Sequence, residues 1–251
     1  NFDFEHQLAS EVHAAPVGAT PGLNASLASC WLGLAEDGDL ISLPGTIPPE
    51  FVAQLTQAGL PRVEFTRQWP SREQAAEFEF VPWGWSDAVK RIAQTKGFHF
   101  ESPDLSAVQT VNARKFSFAC EQEWGLALQG SCQVHDLAGL ETAVSKLQER
   151  EEGPDNAWVV KANFSMSARE RMLGRGPRLS DQIKGWVLKR FGQGQPLFLE
   201  PWVRRMAEAG LQFEIPRQGD PVWIGLAPLL CDERGQYRGS RITVDEQTSN
   251  E

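Results

Sequence analysis

The chain has no Walker-type phosphate loop, no Gly-x-Ser-x-Gly elbow and no His-Glu-x-x-His motif, so hydrolase readings lack a nucleophile or a zinc. Its four cysteines, Cys30, Cys120, Cys132 and Cys231, are far apart with no Cys-x-x-Cys spacing. Neither a zinc site nor a disulfide framework is suggested, and the thiols fit a reducing cytoplasm. His6, His13, His99 and His135 are scattered without metal-ligand spacing and read as surface or packing residues. No apolar run is long enough to span a membrane, and the N-terminus does not resemble a signal peptide. A formal net charge of -9 and a pI near 5.1 exclude a general nucleic-acid binder, whose phosphate contacts need a basic surface.

What is present is enough for a substantial core: 251 residues with 41% hydrophobic content, which predicts two domains or one domain with subdomains. Two lysines stand out. Lys115 lies near a junction of helical segments, the first starting at Ser102-Pro103 with Leu105, Val108 and Val111 on one face. The second carries Phe116, Cys120 and Trp124 and is closed by Gly125. Lys161 ends the strand-like run Ala157 to Lys161. A small, polar stretch from Ser165 to Gly176 follows, with Ser167, Gly174 and Gly176, and it reads as a mobile loop able to bring backbone NH groups to phosphate oxygens. Arg169, Arg171, Arg175 and Arg178 cluster there in an otherwise acidic chain. The cluster is either a solvated basic loop or a seat for a small anion such as a γ-phosphate.

The surrounding elements follow a definite order. Ser131 to Val134 predicts a short strand, and Leu140, Val144 and Leu147 mark an amphipathic helix within Gly139 to Arg150. After the loop, Ile183, Val187 and Phe191 place a helix over Leu179 to Phe191, capped by Ser180 or Asp181. Leu197 to Val203 is apolar enough for a buried strand, with Glu200 its only carboxylate. Upstream, Cys30 to Leu34, Arg62 to Phe65 and Phe78 to Pro82 read as strands. Helices are expected after Pro48-Pro49 up to Gly59 and from Ser86 to Gly97, an alternation that predicts a parallel sheet. Ligands of such sheets bind beyond strand carboxyl ends, which makes Trp83, Gly84, Trp85 and Ser86 candidate acceptor-substrate residues, with core packing the plainer role for the tryptophans.

Strand, helix, strand ending in lysine, glycine loop, helix and hinge strand resembles the lid of an ATP-grasp ligase, over about Ser102 to Ile215. The resemblance implies an α/β fold in which a Rossmann-like pre-ATP-grasp domain, residues 1–101, precedes an ATP-grasp domain, residues 102–251, with its lid subdomain at about 116–199. It further implies that Lys115 and Lys161 hold the α- and β-phosphates of ATP, that Ser165, Ser167, Gly174 and Gly176 belong to the phosphate loop, and that Arg169 and Arg171 act catalytically on the γ-phosphate. Glu200, Trp202 and Val203 would lie beside adenine and Glu208 beside the ribose. The implied activity joins a small-molecule carboxylate to an amine through an acyl phosphate, with ATP and Mg2+ as cofactors, in the cytoplasm, without nucleic acid or membrane.

The resemblance falls short in one place. The family holds magnesium partly with a Glu/Asp-x-Asn element, and nothing in Asp245 to Glu251 matches it. The chain stops short of that element, or segments are joined across gaps, or the metal site is lost. Two other readings therefore stand beside the ligase: an ATP-binding protein without ligase activity, and an α/β interaction domain in which both lysines are surface residues.

Overall fold

The computed structural model describes residues 2–13, 21–43, 45–149, 156–165, 170–216 and 218–240. They form two compact units, Asn1–Ala127 and Leu128–Glu251, so the contact boundary falls later than the expected division after residue 101. The helices around Lys115 therefore belong to the first unit.

The first unit holds α1 (Phe4–His13), α2 (Pro21–Leu27), β1 (Leu40–Ser42), α3 (Pro49–Gln57), β2 (Glu64–Thr66), α4 (Arg72–Ala75), α5 (Asp87–Lys96), α6 (Leu105–Asn112) and α7 (Arg114–Glu123). Parallel pairing is present but short, between β1 and β2, with a single parallel bridge between Glu79 and His99. Two expected strands are corrected. Cys30 to Leu34 lies mostly in a 3-10 helix, Ala28–Gly33, because the chain turns tightly enough for the NH groups of Leu34 and Ala35 both to reach the Trp31 carbonyl at 2.9 Å. This turn puts Ala28 and Leu32 into a small core with Ile41 and Leu43. Phe78 to Pro82 pairs only through that one bridge, where an aromatic cluster of Trp69, Phe80, Trp85, Phe98 and Phe100 takes the place of a ladder. The helix ends follow local chemistry. Ser86 accepts from the Val89 NH and Gly97 closes α5 at φ 83°, while Asp104 caps α6 by accepting from the Ser106 NH. Pro103 therefore precedes the cap instead of opening the helix.

The second unit contains β3 (Cys132–Val134), α8 (Leu137–Gln148), β4 (Ala157–Ala162), β5 (Arg171–Arg175), α9 (Asp181–Phe191), β6 (Leu197–Pro201), β7 (Ala209–Glu214), β8 (Val222–Cys231) and β9 (Tyr237–Ser240). Its main sheet runs β3-β6-β4-β5, antiparallel throughout. Both helices cover one face of it. Leu140, Val144 and Leu147 of α8 and Ile183 and Val187 of α9 pack on Val134, Trp158, Val160, Ala162, Leu197 and Leu199, the alternate residues of their strands. Asp136 and Ser180 cap these helices by accepting from the NH groups of Gly139 and Ile183. Apart from β5, the order of elements from β3 to β6 is the one expected from the sequence, and the α/β class holds.

The segment after Lys161 is corrected: part of the expected loop is β5, zipped against β4 from Ala157–Arg175 to Lys161–Arg171. Gly174 is needed there for closeness, since a Cβ would fall 2.1 Å from the Trp158 ring. Trp158, fully buried, donates its indole NH to the Gly176 carbonyl at 2.9 Å. A second sheet of order β7-β8-β9 leaves Leu211, Ile224 and Leu226 exposed.

Candidate functional site

The face of the main sheet away from α8 and α9 carries the polar chemistry. Strand alternation turns Trp158, Val160 and Ala162 to the helices and therefore Val159 and Lys161 to the other side. Register completes the group: Lys161 stands opposite Arg171 on β5, and Val159 opposite Glu200 on β6. Directly opposed antiparallel residues point to the same face, so two cations and one carboxylate converge there. The Lys161 ammonium donates to Glu200 Oε2 at 2.6 Å, and Glu200 is only 7% exposed.

Beyond β6, Trp202 continues the pairing by donating its backbone NH to the Ala157 carbonyl at 2.9 Å. Its indole lies under two guanidinium groups, with Arg171 at 5.2 Å and Arg205 at 4.8 Å from the ring, a favourable placement over an aromatic face. Arg171 also donates to the Arg234 carbonyl in the turn between β8 and β9. Arg205 donates to Glu208 at 2.6 Å and to the Asp232 and Glu233 carbonyls, each at 3.2 Å. Gly235, at φ 69°, leaves the room this needs, since a Cβ would strike the Arg205 guanidinium.

These contacts tune the charges. Burial pulls the Arg171 guanidinium below its ordinary value, and the neighbouring Arg205 adds to it. The Cys231 thiol, hydrogen-bonded to Glu208, holds that carboxyl below its usual range, and Arg205 acts in the same direction. The same bond to Glu208 pushes the Cys231 thiol up. Lys161, Arg171, Glu200, Trp202, Val203, Arg205 and Glu208 line a cleft of about 260 Å³, closed on its sides by Leu128, Val159 and Gly235. Two guanidinium groups over one indole, with Lys161 lining the same cleft, can hold an anion beside a flat ring.

Six sequence candidates thus meet in one place: Lys161, Arg171, Glu200, Trp202, Val203 and Glu208. Arg205 was missed. Its signal was present in the spacing, an arginine three residues before Glu208 and just past β6, but in the pair Arg204-Arg205 nothing in the sequence marks which of the two turns to the cleft. Ser165 is exposed directly after Phe164, Gly174 packs on Trp158 inside β5, and Gly176 follows it at φ 66°. Ser167 and Arg169 lie outside the described residues. Lys115 is an exposed residue in the first turn of α7, in the other unit.

The substrate candidates also lie in the first unit. Trp83 is half-exposed and meets Phe2 and Trp31, and Trp85 meets Phe80 and Phe100. Gly84 lies against the Phe4 ring, where a Cβ would come within 2.4 Å. Ser86 is fully buried, its hydroxyl donating to Gln7 at 2.8 Å and capping α5.

No family model and no curated protein matches the sequence. Solved structures do. N5-carboxyaminoimidazole synthetase from Staphylococcus aureus, complexed with ADP, is 13% identical with a TM-score of 0.44, over 80% of this chain and 57% of that one. N5-carboxyaminoimidazole ribonucleotide synthetase from Thermus thermophilus is 18% identical with a TM-score of 0.44, over 93% of this chain and 55% of that one. The chain thus spans about half the length of these structures. No described helix is long and apolar enough to cross a membrane.

Proposed function

We propose that this chain binds ATP in the cleft of its second unit and serves an ATP-dependent ligation of a carboxylate to an amine. The observation that carries the reading is the convergence of Lys161, Arg171 and Arg205 around Trp202 at the end of a buried strand. Triphosphate recognition needs several cations on rigid elements; β4 and β5 supply Lys161 and Arg171, and Arg205 follows from the segment after β6. Lys161 would hold the α- and β-phosphates, and Arg171 would meet the γ-phosphate. The chain from Glu200 to Val203 would lie beside adenine, with Glu208 at the ribose.

In the proposed reaction an acceptor carboxylate oxygen forms a bond to the γ-phosphorus while the bond to the β,γ-bridging oxygen breaks and ADP leaves. The amine nitrogen then attacks the acyl carbon, phosphate departs with the carbon–oxygen electron pair, and the nitrogen loses a proton. Positioning and charge neutralisation account for most catalysis of this kind, and no protein nucleophile is required.

The magnesium ion of the family does not fit the described residues. The carboxylates at the cleft are engaged, Glu200 with Lys161 and Glu208 with Arg205. Among the described residues no group of three His, Cys, Asp or Glu side chains could hold a metal, so no step is assigned to a protein-bound ion.

Calorimetric titration with ATP and magnesium tests the reading. Lys161→Ala should weaken binding by about 1.5–3 kcal/mol, the contribution of a charged hydrogen bond, while Lys146→Ala, on α8, leaves it unchanged. Equal affinities remove Lys161 from the site. ATP binding without product from any carboxylate and amine pair would favour the ATP-binding reading without ligation.

A further inference from the structure

A second groove lies away from the nucleotide cleft. It has a volume of about 680 Å³ and runs between β3 and α8. β3 ends the sheet order, with β6 as its neighbour, so among the described residues its outer edge has no strand beside it. The wall facing that edge comes from Gly139, Thr142, Ala143 and Lys146, positions i, i+3, i+4 and i+7 of α8 and hence a single stripe of the helix. The stripe lies between the buried line of Leu140, Val144 and Leu147 and solvent. Small side chains leave it shallow, and Lys146 is its one cation.

The groove is shaped for a strand. An unpaired edge offers NH and C=O groups at a strand repeat, and an extended chain laid along it gains main-chain hydrogen bonds while alternate side chains face the helix. Two features give it polarity. Lys146 lines the groove together with Cys132 of β3. Ser131 Oγ, at the start of the strand, is buried with no hydrogen-bond partner among the described residues. Asp136, the carboxylate nearest the strand's end, is already engaged in capping α8 through the Gly139 NH at 2.7 Å.

We propose that β3 and α8 form a docking groove for an extended acidic peptide segment of a partner protein, which adds a strand to the sheet at β3 and sets a carboxylate against Lys146. The surface is separate from the nucleotide cleft and does not depend on its function. Occupation would place the partner's strand outside β3, at the end of the β3-β6-β4-β5 order, without disturbing the face that carries Lys161 and Glu200.

The probe is a fluorescein-labelled octapeptide of alternating threonine and valine with one central glutamate, measured by fluorescence anisotropy on the full chain. Two companions carry lysine in place of the glutamate or a proline at the centre. Saturable binding of the acidic peptide is expected, about fivefold weaker for the lysine peptide and about tenfold weaker for the proline peptide, which cannot donate at that position. Lys146→Glu, on an exposed helix position, should invert the preference between acidic and basic peptides, and Lys146→Gln should abolish it. Absence of saturable binding overturns the proposal. So does binding that ignores the proline, or a preference that Lys146→Glu leaves unchanged.

Discussion

Removing Lys161 should destabilise the second unit far more than an exposed lysine would, and the structure sets the size of the effect. The ammonium lies 2.6 Å from Glu200, whose side chain is 9% exposed against 31% for the lysine. Lys161→Met leaves the carboxylate without its cation on a face it shares with buried Val159 and Phe198. Removing one partner of a buried pair costs about 3–5 kcal/mol. Because a third of Lys161 meets water, we expect the lower end, about 3 kcal/mol. Glu200→Gln should cost less, since the ammonium can turn to solvent and the amide still accepts a hydrogen bond. The double variant should then cost less than the sum of the singles by about 1–2 kcal/mol, the mark of directly coupled residues. Urea unfolding followed by circular dichroism, with a common m-value across the four proteins, completes the cycle. Additivity within about 0.5 kcal/mol would refute the claim that the two charges hold each other in the fold. The same cycle bears on ligand binding: Glu200→Gln frees the Lys161 charge, so ATP affinity should rise where Lys161→Met lowers it.

Gly174→Ala should lower stability by about 1–3 kcal/mol through overpacking against Trp158, visible as a lower Tm with altered tryptophan fluorescence; an unchanged melt would deny the close approach. Ser180→Ala should cost about 1 kcal/mol by uncapping α9, and restoration by Ser180→Asp in the same urea assay checks that the loss is the cap. Glu208 titrates below its ordinary 4.5, so its stabilisation is complete above that value and drains away as pH falls through the lowered one. Wild-type Tm should therefore drop more steeply than that of Glu208→Gln between about pH 5 and pH 2; parallel curves would remove Glu208 from the acid response.

Periodicity made the helices and the buried strand of the second unit legible. The helices α8 and α9 bury apolar residues every third or fourth position, and β6 is buried along its whole length, with Leu197 and Leu199 on the helices and Phe198 on the opposite face beside Glu200. Lys161, Arg171 and Glu200 could be named as site candidates since strand ends and a carboxylate in an apolar run are local signals. Their mutual geometry could not, because it arises from the pairing of β4 with both β5 and β6. The Ser165 to Gly176 segment was read as a loop on account of its glycines and polar residues. In fact Gly174 serves a tryptophan sixteen residues earlier, a tertiary demand that no window of sequence displays. Cys30 to Leu34 has strand composition yet coils, since its hydrophobics are satisfied by a tight turn against β1. Aromatic packing likewise replaced the ladder expected at Phe78 to Pro82.

Trp158 has a consequence for how the hairpin tolerates change. Its ring seats on Gly174 and its NH is fixed to the Gly176 carbonyl, so the β4–β5 register is set at the end of the hairpin remote from its tip. A one-residue slip would turn Arg171 to the helix side and Met172 to the cleft, and the tryptophan forbids it. Residues inserted or deleted between Ala162 and Arg171 would therefore alter the reach of the connection while Arg171 keeps its aim beside Lys161. Direction at the site is set by that seat of the tryptophan on the glycine.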